Sequence, residues 1–189
     1  MKRSAILVAV VAALVAGVWC GTQLWVPVRS SVASPAAESA AKPVSIVFLL
    51  RHAEKDGDDL SQEGRARAQR LAEVFKYAKV QHLIVSKLRR TRQTLEPLAT
   101  LQKLDPKLIH EIGDLDESCA RDIVKLVRSF KPGDITVIVH HSTTVQTIAE
   151  ELGVPRAEAR AIDTSMNDGL NVVLLPAEGA AQMVRLAYR

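Results

Sequence analysis

Cysteine is almost missing from this 189-residue chain. Cys20 and Cys119 stand far apart, so neither a disulfide framework nor a thiolate metal site can be assembled. The nine glycines form no Gly-rich phosphate loop. An excess of one charge is also lacking. Lys2, Arg3, Arg29 and Lys42 against Glu38 give the first 43 residues +3 of the formal +4, and residues 44–189 carry only +1. That is too little for the broad basic footprint of a nucleic-acid binder. The length excludes two large domains. What is present is 48% hydrophobic and 24% charged, the composition of a chain that buries an ordinary core.

The longest uncharged stretch runs from Ser4 to Val28, behind a basic start at Lys2 and Arg3. As a helix, residues 5–28 would span roughly 36 Å, enough for a bilayer core of about 30 Å. Trp25, Pro27 and Arg29 suit the interfacial end of such a helix. A cleaved signal peptide is the competing reading, with residues 5–18 as its apolar region and Ser31-Val32-Ala33 as its small-residue site. Residues 1–28 are therefore expected to be a membrane anchor or a signal segment. Residues 29–43, rich in Ser, Ala and Pro, read as a flexible linker, and the folded domain as residues 44–189. Either reading places the domain outside the cytoplasm. It is then held in the cell envelope by a single-pass inner-membrane anchor, or is periplasmic or secreted if the leader is cleaved.

Within residues 44–189, short apolar runs alternate with helical periodicity. Residues 44–50, 82–86, a stretch around Ile109, 135–139, 170–175 and 183–188 read as strands. Helices are expected after the N-cap Ser61, over 91–103 with a break or kink at Pro97, on the face shared by Cys119, Ile123, Leu126, Val127 and Phe130, and from Val145 to a stop at Gly153. This order predicts an α/β domain with a sheet covered on both faces and a site beyond the C-terminal strand ends.

Chemistry-bearing residues collect at those ends: Arg51-His52-Ala53-Glu54, then Ser86 with Arg89, Arg90 and Arg92, then His140-His141-Ser142. Forked guanidinium donors with two imidazoles suit a phosphoryl group. A neutral histidine nitrogen can attack phosphorus and carry it as phosphohistidine until water releases it.

Four motifs carry a resemblance. Leu50-Arg51-His52-Ala53-Glu54 resembles the Arg-His-Gly signature of the histidine phosphatase superfamily. Residues 60–65 (LSQEGR), 86–94 (SKLRRTRQT) and 137–142 (VIVHHS) are similar to its helix opening, its arginine-threonine segment and its Gly-His-Ser strand end. The resemblance implies a phosphoglycerate mutase-like fold, a three-layer α/β/α sandwich around a mostly parallel mixed sheet, close to the small cap-less phosphohistidine phosphatases. It implies His52 as the phosphorylated nucleophile, with Arg51, Arg90 and His141 on the phosphoryl oxygens, and no metal or cofactor. Glu111 is the nearest counterpart of the family's general acid, with Asp114 and Asp116 as rivals. His140 stands where the family has Gly and is expected to narrow the pocket or to add a donor to the phosphate. Thr143 stands where close relatives often have Asn.

The expected function is a metal-independent phosphatase. It would act on a small phosphorylated substrate or a phosphoprotein, and it would contact the membrane through the N-terminal helix but bind no nucleic acid. Two other readings stay open at this point. A catalytically weak or inactive relative would only hold phosphate or a polyanion, and His52, His140 and His141 could form a metal site, although Arg51 and Arg90 would repel the cation.

Overall fold

The computed structural model describes residues 42–113 and 118–188. The leader, the linker up to residue 41, and Asp114 and Asp116 lie outside the described residues. Among the described residues no helix is long and apolar enough to cross a membrane.

Among the described residues eight strands and five α-helices follow in order: β1 (Val44–Arg51), β2 (Lys55–Asp56), β3 (Asp59–Leu60), α1 (Gln62–Val74), β4 (His82–Val85), α2 (Arg89–Gln102), β5 (Ile109–Glu111), α3 (Ser118–Ser129), β6 (Ile135–His140), α4 (Val145–Glu151), α5 (Arg156–Arg160), β7 (Gly169–Pro176) and β8 (Gln182–Ala187). Six strands form one sheet in the order β5-β4-β6-β1-β7-β8. β1, β6, β4 and β5 pair in parallel, while β7 runs antiparallel to β1 and β8 antiparallel to β7. The sheet is mixed because the last two strands return as a hairpin and need no helical crossover.

Alternation along the strands builds two cores. Leu50, Val85, Val137 and Val139 face Leu71 of α1, Phe75 at its C-terminal end, and Leu95 and Leu98 of α2. Val47, Leu49, Ile84 and Ile138 face Ile123 and Val127 of α3, Ile148 of α4 and Leu152 at its C-terminal end. A sheet buried on both faces by helices is the three-layer α/β/α arrangement, and continuous apolar strands are what it requires.

Some elements differ from the sequence expectation. α2 begins at Arg89, two residues earlier than predicted, and continues through Pro97 without interruption to the left-handed Lys103 at its end. The hairpin β2–β3 and the five-residue α5 were not predicted. Both are too short to show a periodicity.

The start of α1 lies against the end of β1. Ser61 caps it, its Oγ accepting from the Gly64 amide at 3.0 Å. A Cβ at Gly64 would lie 2.0 Å from the Glu54 carbonyl oxygen, so only glycine allows this approach. Glu54 in turn forms a two-pronged ion pair with Arg67 of α1, at 2.7 and 2.8 Å from Nε. The segment leaving β1 is thereby fixed to the first helix.

Candidate active site

Strand register decides which side chains meet. Arg51 pairs with His140 and Val85 with Val139, so the residues that follow, His52, His141 and Ser86, emerge at one edge of the sheet. β7 enters from the opposite direction, with Asn171 beside Leu49, so the preceding loop, residues 163–168, reaches the same edge.

His52 is 4% exposed, and its backbone is held on three sides. Its amide donates to the His140 carbonyl at 3.0 Å, its carbonyl accepts from Asn167 Nδ2 at 2.7 Å, and the next amide, Ala53, donates to Thr94 Oγ1 at 3.1 Å. Its ring nitrogen Nδ1 lies 2.7 Å from the Ala53 carbonyl oxygen. A carbonyl only accepts, so Nδ1 carries the hydrogen and the lone pair of the neutral ring sits on Nε2. Burial lowers the His52 pKa, and Arg90, Arg51 and Lys55 lower it further against the opposing bond to Ala53. The ring is therefore neutral at neutral pH.

His141 is 5% exposed, and its ring centroid is 5.3 Å from that of His52. Its Nε2 lies 2.8 Å from Ser86 Oγ, which also meets Thr91 Oγ1 at 3.1 Å and accepts from the Leu88 amide at 3.2 Å. Burial, then His140, Arg90, His52 and Arg51, push its pKa down to about 3.

Each arginine leaves a donor unused. Arg51 Nη1 donates to the Thr164 and Ser165 carbonyls, both at 3.0 Å, which fixes the guanidinium in place. Arg90 Nη1 lies 4.0 Å from Asp58 Oδ1. The buried Nε atoms of Arg51 and Arg90 have no hydrogen-bond partner. An unsatisfied buried donor is costly, and one on a cation calls for an anion.

Two expected residues are placed elsewhere. His140 is wholly buried, with Nδ1 on Thr144 Oγ1 and Nε2 3.4 Å from Cys119 Sγ. Burial brings its pKa down to about 4. This corrects the expectation of a phosphate donor there: the ring packs against α3 and the start of α4, with both nitrogens turned to protein partners. Glu111 ends β5, the outer strand, where it bonds Arg92 at 3.0 Å. Three strand spacings, roughly 14 Å, separate that strand from β1. The structure thus brings together His52, His141, Arg51 and Arg90, and it leaves Glu111 on a surface ion pair.

Sequence reasoning missed Asn167, the Thr164 and Ser165 carbonyls, Thr94 and Asp58. Asn167 and the two carbonyls depend on the antiparallel return of β7, which no local pattern encodes. Thr94 did carry a signal: Thr91 and Thr94 lie three apart on one helix face, and both are fully buried polar residues.

An α/β/α domain with two arginines beside a neutral, oriented imidazole has the donors and the lone pair that suit a phosphoryl group. Residues 47–119 match the family model described as histidine phosphatase superfamily (branch 1). Over that segment the chain is similar to the histidine phosphatase superfamily. No curated protein matches the chain. Among solved structures, the mycobacterial glucosyl-3-phosphoglycerate phosphatase is similar at 17% identity and TM-score 0.57, over 77% of this chain and 98% of that one. The protein histidine phosphatase SixA, complexed with tungstate, is similar at 19% identity and TM-score 0.58, over 75% and 96%. At such identities the likeness concerns the fold.

Proposed function

We propose that the protein is a metal-independent phosphatase that works through a phosphohistidine on His52. The observation that carries this reading is the pair of unpartnered, buried Nε donors of Arg51 and Arg90 beside an imidazole whose free lone pair is on Nε2. A phosphoryl group bound by both guanidiniums and by His141 puts phosphorus in front of that lone pair. Attack in line forms the N–P bond as the leaving group departs, and the fixed cations stabilise charge on the equatorial oxygens. The Ala53 carbonyl holds the Nδ1 hydrogen and stabilises the positive ring as it forms. Water then attacks phosphorus, and inorganic phosphate leaves with His52 restored.

Phosphomonoesters and phosphoramidates both satisfy these contacts, whether presented by a small molecule or by a phosphoprotein. We also propose that residues 1–28 tether the enzyme in the cell envelope with the domain outside the cytoplasm. The support is the uncharged run from Ser4 to Val28 behind two basic residues.

The test uses the full-length chain in detergent with 4-nitrophenyl phosphate, with and without chelator, and acid quenching of labelled substrate. The expected result is chelator-resistant turnover with an acid-labile, alkali-stable phosphoenzyme that is absent from His52→Ala. Folded protein that traps no phosphate and turns nothing over would favour a phosphate-binding relative without activity.

A further inference from the structure

We propose that Asp58 is the proton donor to the leaving group, a role that rests on the phosphatase reading above. The hairpin β2–β3 is fastened to the first turns of α2. Asp59 Oδ1 accepts from Arg89 Nη2 at 2.9 Å and from Gln93 Nε2 at 2.8 Å, and the Leu60 amide donates to Gln93 Oε1 at 2.8 Å. Gly57, at φ +60°, supplies the left-handed conformation that turns the hairpin. The residue between Gly57 and the fastened Asp59 is Asp58, whose carboxylate lies 4.0 Å from Arg90 Nη1 while its side chain is 88% exposed.

That position is on the leaving-group side. His52 is nearly buried and attacks from the floor of the site, so in-line displacement sends the leaving group toward solvent. Arg90, which grips the equatorial oxygens, has Asp58 at its solvent-facing end. Of the carboxylates expected for the task, Glu111 is engaged with Arg92 on the outer strand, and Asp114 and Asp116 lie outside the described residues.

The proton balance closes. Substrate bound as its monoanion brings a proton, which the Asp58 carboxylate takes up. As the His52 Nε2–P bond forms and the P–O bond breaks, Asp58 passes that proton to the departing oxygen. In the second half, water attacks phosphorus and the N–P bond breaks with its electron pair returning to Nε2. Asp58 accepts the proton that the water loses and hands it to the phosphate dianion, which leaves as the monoanion with the carboxylate restored.

A donor matters in proportion to how poor the leaving group is. The experiment compares wild type, Asp58→Asn and Glu111→Gln, as full-length chains in detergent, on 4-nitrophenyl phosphate and on glycerol 2-phosphate. Asp58→Asn is expected to lower kcat/KM on the alkyl ester about 100-fold or more but on the aryl ester only about 3- to 10-fold. Equal losses on both esters would make Asp58 a positioning residue for Arg90 and overturn the proposal. So would no loss on either, or a selective alkyl loss in Glu111→Gln instead. Failure of the wild type to turn over even the aryl ester, with no trapped phosphate, would overturn the phosphatase reading itself and this proposal with it.

Discussion

The four residues that meet at the sheet edge are not equivalent in what their removal should do. His52 supplies the electrons for the new bond, so His52→Ala should cut kcat on 4-nitrophenyl phosphate by roughly 10³-fold or more and abolish the phosphoenzyme. Arg90→Lys keeps the charge but removes the forked donor whose buried Nε has no protein partner, and a fall of about 10²-fold in kcat/KM is expected. Steady-state kinetics on folded protein checks both, and an Arg90→Lys variant as active as wild type would show that charge alone suffices. The pH dependence follows from the histidines. Burial and the neighbouring cations lower the pKa of both His52 and His141, so the required neutral rings persist below the ordinary value of 6.5. The acid limb of kcat/KM should fall below pH 6.5, and a limb at or above 6.5 would contradict this environment.

At the scale of elements, the junction of β1 with α1 is the most constrained. The Leu-Ser-x-x-Gly pattern at residues 60–64 acquires a physical reason there: serine caps the helix and glycine admits the Glu54 carbonyl. Gly64→Ala should lower stability by about 2 to 3 kcal/mol, read by denaturant unfolding, because the contact it violates is with backbone. It should lower kcat as well, since Glu54 follows His52-Ala53 by one residue. Buried strands and long amphipathic helices were legible in the sequence because each repeats a pattern over many residues, and His52, Arg51, Arg90 and His141 were legible because motifs place them beside strand ends. The β2–β3 hairpin and the loop around Asn167 were not. Their positions depend on which strands become neighbours, and the antiparallel entry of β7 is a long-range outcome. His140 misled for a related reason, since its surroundings are supplied by Cys119 and Thr144 from the start of α3 and the turn before α4.

For the molecule as a whole, acid is the condition that weakens folding and catalysis together. His140 titrates at about 4 when folded and at 6.5 when exposed by unfolding. Above pH 6.5 both forms are neutral and the difference contributes nothing. As pH falls from 6.5 toward 4, the unfolded chain takes up the proton first, so stability declines across that window, by up to about 3 kcal/mol from this group. His141, depressed still further, adds to the decline in the same direction. Urea unfolding at steps between pH 7 and pH 4 should therefore show a falling stability, while the acid limb of activity also lies below 6.5. His140→Gly leaves a cavity beside Cys119 and Thr144 and should be less stable than wild type at pH 7. It also removes one of the titrating rings, so its loss between pH 7 and pH 4 should be smaller. A variant that loses as much stability over that range as wild type would mean that the buried His140 ring accepts its proton without opening the fold.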